Sequence, residues 1–530
     1  MKARAGIDRA FRIGEVDPRL FGSFVEHLGR AVYGGIYQPD HPSADARGFR
    51  GDVLALVREL GIPLVRYPGG NFVSSFNWED SVGAPGDRPT RLDLAWRSVE
   101  PNRFGLQEFL SWCGEAGAQP MLAVNLGTRG IDAARELVEY CNFPSGTRLS
   151  DLRRSHGAES PYGVELWCLG NEMDGPWQVG QKTAREYGRL ARESAKAMRL
   201  VDPQLELVAC GSSYPAMPSF PRWEAEVLDE CYDQVEYLSL HSYYGNEAGD
   251  RMEYLAAAEG MDGFIRSVRA VCDFVKADKR SGKTMKLAFD EWNVWYHTKA
   301  EDRHEAPWQI GPRLLEEHYT FDDALVVGSL LITLLRHADR VKIACMAQLV
   351  NVIAPIMTEP DGPAWRQTTF YPFLHASRYG RGISLDLRVE SPSYDTKTYG
   401  SVPYLTAAAV LDEEAGELAI FAVNRSPTEG LELDLGLSGF AGWRVFEHIE
   451  YRADHAAARG ASQSRQSRPG EEAAPGQELP EGDVPGRCLP GRRLPERRSD
   501  LPSLQGDRLV AGLAALSWNV LRLSAPARSE

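Results

Sequence analysis

Short apolar runs alternate with stretches of helical periodicity along most of this chain, and no other feature limits its fold as much. Runs at 19–27, 62–67, 120–125, 164–169, 205–209, 235–240, 285–289 and 341–347 read as strands. Between them, 52–60, 106–116, 133–140, 183–200, 263–277 and 321–336 carry helical spacing, Gly61 stops the first of these, and 372–379 closes the series. The stretch 223–231 is less regular. The strands are mostly continuous apolar runs, as parallel strands covered on both faces must be. About eight repeats predict an α/β fold, a (β/α)8 TIM barrel. A doubly wound open sheet is the alternative, disfavoured because the sequence holds no G-x-G-x-x-G motif and no phosphate-binding P-loop.

After about residue 382 the texture changes to short strand-like runs at 418–423, 443–446 and 513–523. The expected organisation is a catalytic barrel over 18–381 and an all-β, jelly-roll-like sandwich built from 1–17 plus 382–530. Residues 456–503 are atypical, rich in Arg, Pro, Gly, Ser and Glu with almost no aliphatic runs, and are expected to be a disordered loop. An insertion or an out-of-frame stretch is the second reading, because β texture resumes afterwards.

The formal net charge of −15 excludes a surface built for nucleic acid or anionic membranes, since phosphate binding needs a basic face. The first eight residues show no signal-peptide core, and the longest apolar run, 324–335, is too short to span a bilayer. The eight cysteines form no C-x-x-C pair, and Cys168, Cys210 and Cys345 lie inside apolar runs; reduced, buried thiols in a cytoplasmic protein are expected.

Barrels carry their chemistry at the C-terminal ends of their strands. Two runs end in a glutamate there: Trp167-Cys168-Leu169-Gly170-Asn171-Glu172 and Leu287-Ala288-Phe289-Asp290-Glu291. Two carboxylates, one a proton donor and one a nucleophile, are what cleavage of a glycosidic bond needs. Strands four and seven lie across the barrel mouth, which can set the carboxyls at about 5 Å, the spacing of a retaining double displacement. Asn171 could then hydrogen-bond a sugar hydroxyl, Glu172 would be kept protonated by burial and by the second carboxylate, and Glu291 would stay ionised beside Arg66 and Tyr243. Other strand ends supply Glu26, Asn71, His241 and Gln348, and Trp96 and Trp295 are placed to stack on sugar faces. Each of these alone reads equally well as a turn former, a core edge or half of a buried ion pair; their coincidence at successive strand ends favours a site. No H-E-x-x-H pair points to a metal, and no G-x-S-x-G elbow to a serine nucleophile.

The segments Phe24-Val25-Glu26-His27-Leu28-Gly29-Arg30, Arg66-Tyr67-Pro68-Gly69-Gly70-Asn71-Phe72, Trp167 to Gly175, Asp290-Glu291-Trp292-Asn293-Val294-Trp295-Tyr296 and Ala364-Trp365-Arg366-Gln367-Thr368 resemble glycoside hydrolase family 51, and within it the bacterial intracellular α-L-arabinofuranosidases. The likeness runs to about residue 450 and returns at 516–520. The resemblance implies retaining hydrolysis with Glu172 as acid/base and Glu291 as nucleophile. It implies that Glu26, Asn71, Asn171, Tyr243 and Gln348 hold an arabinofuranosyl ring, with Trp96, Trp295, Arg66 and His241 also in the site. It further implies no cofactor, a homo-oligomer (a hexamer) and arabinose-containing oligosaccharides as substrates. Another retaining glycosidase on the same barrel, such as a β-xylosidase or endoglucanase, is the alternative activity, and a non-catalytic sugar-binding protein the non-enzymatic one.

Overall fold

Eight parallel strands close on themselves in the order Gly22–Phe24, Leu64–Tyr67, Gln119–Val124, Leu166–Leu169, Glu206–Ala209, Tyr237–Tyr244, Lys286–Val294 and Val341–Ala347, the last pairing back to the first. The structure is a computed structural model and describes residues 1–298, 306–453, 497–498, 501–502, 504–505 and 507–526. The strand residues alternate. Leu64, Met121, Leu166, Cys168, Val208 and Ile343 fill the barrel's interior, while Val65, Leu122, Trp167, Leu169 and Leu207 face the surrounding helices.

The helices follow from their patterning. Gly51–Leu60 buries Val53, Leu54, Leu56, Val57 and Leu60 and stops where Gly61 turns to φ +66°, a left-handed cap that glycine takes without penalty. Ala184–Val201 starts at a Thr183–Glu186 capping box and buries Tyr187, Ala191, Ser194, Ala195 and Met198 on one stripe. Phe321–Arg336 differs: every residue from Asp323 to Leu335 is buried. It is covered on a second side by a ten-stranded sheet, whose Ala408, Val410, Phe421, Trp518 and Val520 join the barrel's outer core. At Gly328 a side chain would meet the Trp518 ring at 2.6 Å, so only glycine lets helix and sheet approach this closely.

In that sheet Lys2–Val16 lies antiparallel to Gly382–Glu390 and parallel to Leu431–Ser438. Its far face, with Ala3, Ala5, Ile7, Leu433, Leu435, Leu509 and Leu523, is a core of its own. Among the described residues the all-β second unit is thus one ten-stranded sheet, in which strands from both chain ends interleave, with the short hairpin of Ser393–Thr396 and Gly400–Pro403 beside it.

Three local expectations need correction. Residues 222–231 form a regular helix, Arg222–Cys231, because Trp223, Val227, Leu228 and Cys231 make a helical stripe that the neighbouring turns obscure in the sequence. The first barrel strand is only Gly22–Phe24, since Pro18 starts a 3-10 turn, Pro18–Phe21. The seventh runs past Phe289 to Val294, carrying Glu291 within the strand. Most of 456–503 lies outside the described residues. Seven cysteines among the described residues are free and buried. No helix among them is long and apolar enough to cross a membrane.

Candidate active site

The strand ends converge on one buried cluster at the barrel mouth. Strand four ends at Leu169; Gly170 then takes φ +89° and Glu172 φ +45°, turning Asn171 and Glu172 over the opening. A left-handed glutamate is uncommon and costs on the order of 1 kcal/mol, which the surrounding packing must hold. On strand seven, Ala288 faces inward, Phe289 and Trp292 face outward, and the ladder slips its register between Ala288 and Glu291 on one side and between Phe289 and Trp292 on the other. That bulge turns two consecutive side chains, Asp290 and Glu291, into the barrel.

Glu172 and Glu291 offer oxygens that, with a ring nitrogen of His241, all lie within 4.8 Å of one another. Tyr243 donates to Glu291 Oε1 at 2.7 Å and Arg66 Nη1 to Oε2 at 2.9 Å, so both oxygens of Glu291 are held as a carboxylate's would be. Burial and the Glu291 charge push Tyr243 well above the ordinary phenol range, keeping it a donor. Arg66 Nη2 also donates to Asn171 Oδ1 at 2.7 Å, which leaves Asn171 Nδ2 facing Asn71 Oδ1 at 3.4 Å and the open site. Burial pushes Glu172 above the usual carboxyl range and Glu291 adds to this; contact with His241 opposes it. The His241 Nδ1 lies 3.1 Å from Glu172 Oε1 and its Nε2 3.4 Å from Asp290 Oδ1.

Glu26 sits opposite. Its Oε1 accepts from the Phe72 amide and from Trp96 Nε1, both at 2.9 Å, its backbone N–H donates to Gln348 Oε1 at 2.9 Å, and its Oε2 accepts from Gln348 Nε2 at 3.4 Å. Burial, then the Glu291 charge, push Glu26 up to about 8, so it is protonated at neutral pH. Trp295 packs edge-on to Tyr243 with ring centroids 5.6 Å apart. All eleven residues expected at the site, Glu26, Arg66, Asn71, Trp96, Asn171, Glu172, His241, Tyr243, Glu291, Trp295 and Gln348, therefore gather at this mouth.

Three more residues belong to it. Trp177, 45% exposed, donates to Glu172 Oε2 at 2.7 Å and stacks on Tyr214. Gly70 lies against the cluster: a Cβ there would meet Glu26 Oε2 and Glu291 Oε2 at 3.3 Å. Asp290 is fully buried beneath Glu291. A signal for Asp290 exists in the sequence, since the outward Phe289 and Trp292 stand three apart where a regular strand spaces such residues by two.

Glu172, His241 and Glu291 could bracket a cation by distance alone. The chemistry of the set does not suit one, because burial pulls the His241 proton off less strongly than Glu291, Asp290 and Glu172 hold it on, up to about 10, and an imidazolium has no lone pair to give. What this geometry can do is deliver a proton from one carboxyl and a nucleophile from another to opposite sides of one bond.

Comparison with known proteins places the chain. Residues 56–259 match the alpha-L-arabinofuranosidase 1 domain and 290–477 the alpha-L-arabinofuranosidase C-terminal domain. The intracellular exo-alpha-(1->5)-L-arabinofuranosidase of Halalkalibacterium halodurans is 57% identical over 98% of each chain. A family 51 alpha-L-arabinofuranosidase from Bifidobacterium longum superposes with a TM-score of 0.87 at 42% identity, over 98% of this chain and 99% of that one. This chain belongs to glycoside hydrolase family 51. The alpha-L-arabinofuranosidase of Thermotoga maritima, solved as an arabinose complex, superposes with a TM-score of 0.82 at 31% identity, over 99% of this chain and all of that one. A Bacillus subtilis relative, also named an intracellular exo-alpha-(1->5)-L-arabinofuranosidase, is 59% identical over 84% of this chain and 89% of its own.

Proposed function

We propose that the protein is a retaining, exo-acting α-L-arabinofuranosidase that removes terminal arabinofuranosyl groups from arabinan- or arabinoxylan-derived oligosaccharides in the cytoplasm. The observation that carries this reading is the approach of Glu172 and Glu291 to within 4.8 Å. Carboxyls about 5 Å apart suit a covalent intermediate, whereas an inverting enzyme needs room for a water between them. The family and the names of its relatives support the sugar.

In the first step Glu172 gives its proton to the glycosidic oxygen as the bond from the anomeric carbon to that oxygen breaks. Glu291 attacks the same carbon and forms a glycosyl ester. The leaving alcohol departs. Water then attacks the anomeric carbon, Glu172 takes the water's proton, and the ester bond breaks to free Glu291. Arg66 and Tyr243 hold Glu291 for attack, and Asn171, Asn71, Glu26 and Gln348 present polar groups to the sugar's hydroxyls. The barrel over 18–381 carries this chemistry, and the unit formed by 1–17 and 382–530 braces it. A homohexamer is the proposed assembly.

Release of p-nitrophenol from the α-L-arabinofuranoside, with the β-D-xylopyranoside and a cellooligosaccharide glycoside alongside, tests the reading. Fast turnover of the first by wild type and its loss in Glu291→Ala are expected. Preference for another glycoside, or near-normal turnover by Glu291→Ala, overturns it.

A further inference from the structure

Asp290 does no chemistry in the mechanism above, yet it occupies the most costly position in the barrel. Its side chain is 1% exposed, one layer below Glu291. A lone carboxylate there would be strongly disfavoured. Two cations meet it: Arg66 Nε at 3.2 Å from Oδ2 and His241 Nε2 at 3.4 Å from Oδ1. Each cation turns its other end to a carboxyl of the proposed active pair. Arg66 reaches Glu291, and His241 Nδ1 lies 3.1 Å from Glu172 Oε1 and 3.6 Å from Glu291 Oε2. Nδ1 of His241 is hydrogen-bonded to Glu172, while Nε2 meets Asp290 at ion-pair distance without a formed hydrogen bond, and a ring with carboxylate oxygens on both sides is best matched as an imidazolium, whose two nitrogens both carry protons.

The geometry points to Asp290 as a positioning residue that holds His241 as an imidazolium, so that Glu172 is met by a charge-assisted hydrogen bond once it has given up its proton. This rests on the reading of Glu172 as acid/base. No proton leaves His241: the proton on the glycosidic oxygen comes from Glu172, and the imidazolium only stabilises the carboxylate left behind. The bulge at 289–291 is what makes this possible, because a regular strand would point Asp290 and Glu291 to opposite faces. The charged and titratable groups facing His241 are Glu172 and Asp174 after strand four and Asp290 and Glu291 on strand seven, and Arg66 on strand two and Tyr243 two residues along its own strand reach the same Glu291. Burial raises Glu26 and Glu172, whereas Asp290, which burial alone would raise, is held low by Arg66 and His241.

The experiment compares wild type, Asp290→Asn, His241→Gln and the double variant on p-nitrophenyl and alkyl α-L-arabinofuranosides across pH. The alkaline limb of kcat/KM reports the group that must be protonated, here Glu172. If Asp290 holds the imidazolium, Asp290→Asn leaves a neutral ring, the Glu172 carboxylate loses its nearest positive charge, and the alkaline limb moves up by about one pH unit or more. The alkyl glycoside, which depends more on protonation, slows by about tenfold to a hundredfold, and the aryl glycoside slows less. In the His241→Gln background Asp290→Asn changes neither limb. A downward shift in Asp290→Asn means that Asp290 is only a background charge over a ring that stays protonated, and an unmoved limb means a packing role; either result overturns the proposal. Should Asp290→Asn alone not fold, the double variant, which removes one charge of each sign, is compared with His241→Gln. Equal profiles uphold the proposal; unequal profiles, or a double variant that also fails to fold, refute it. Absence of turnover by wild type removes the functional reading instead, and so is told apart from failure of this proposal alone.

Discussion

The indole N–H of Trp177 donates to Glu172 Oε2 at 2.7 Å while nearly half of that tryptophan stays open to solvent. One face of Glu172 is thus held by a side chain that also borders the entrance, and Tyr214 stacks behind it with ring centroids 6.1 Å apart. The bond favours the ionised form of Glu172. Trp177→Phe keeps the ring and deletes the donor, so the alkaline limb of kcat/KM should rise and kcat should fall roughly tenfold. A pH–rate profile on an aryl arabinofuranoside checks both.

A side chain at Gly70 would crowd the carboxyl cluster. A methyl group there would stand 3.3 Å from oxygens of both Glu26 and Glu291 and 3.4 Å from Asn171 Nδ2, in the space the sugar should occupy. Gly70→Ala should lower kcat/KM by about a hundredfold or more, since small misplacements at a reacting centre are that costly. The melting temperature should change far less. Equal losses of activity and stability would show the glycine to be needed for folding rather than for access.

Glu26 makes stability depend on pH in a defined direction. Burial, then Glu291, raise it from 4.5 to about 8 in the folded protein, so the fold binds its proton more tightly than the unfolded chain does. The stabilisation this gives is complete below pH 4.5 and is lost progressively as pH rises to about 8. Glu26→Gln, which cannot ionise, should therefore gain on wild type in thermal unfolding as pH goes from 5 to 9. A constant gap across that range would argue against a protonated Glu26.

Arg66 is 1% exposed and touches Asp290, Glu291 and Asn171 while stacking over the Phe24 ring at 4.6 Å. Arg66→Met keeps the bulk but strands two buried carboxylates. It should cost about 3–5 kcal/mol in chemical denaturation and abolish turnover. Arg66→Lys should restore part of the stability but little of the activity, because one ammonium cannot reach three partners.

Asp93 organises the hairpin that delivers Trp96. Its carboxylate accepts from the amides of Ala95 at 3.0 Å and Trp96 at 3.2 Å and from Ser98 Oγ at 3.0 Å, and Trp96 then reaches Glu26. Asp93→Ala should release the turn and lower kcat/KM by up to about a hundredfold, mostly through KM. Intrinsic fluorescence of Trp96, isolated by comparison with Trp96→Phe, would report the displacement.

The barrel was legible because parallel buried strands and one-sided helices leave different periodicities: 106–116, 321–336 and 341–347 coincide with Leu106–Ala116, Phe321–Arg336 and Val341–Ala347 residue for residue. The eleven candidate residues could be found because strand ends are marked by abrupt changes from apolar to polar. Asp290 was hidden by its neighbour, since alternation predicts that only one of two consecutive strand residues faces inward and a bulge breaks that rule. Trp177 and Gly70 lie in loops, where no periodicity says which way a side chain points. The all-β class of the second unit was legible in its short strand-like runs, but its strand order was not, because pairing such as Lys2 with Glu432 joins residues with no local signature of each other.

That last pairing bears on how the protein is made. Helix Phe321–Arg336 has two apolar sides, and the outer one is covered by Leu405–Asp412, Glu417–Asn424 and Ser517–Ser524, all later in the sequence than the helix. Lys2–Val16 has no partner strand until Gly382–Glu390 and Leu431–Ser438 have been made. The barrel's greasy flank stays uncovered until residues 405–424 have been made, and a nascent chain stalled before residue 382 presents that flank and an unpaired edge to its neighbours. Chains cut short between residues 348 and 382 should accordingly be lost to aggregation rather than accumulate as free barrels, although every proposed catalytic residue is already in place by residue 348.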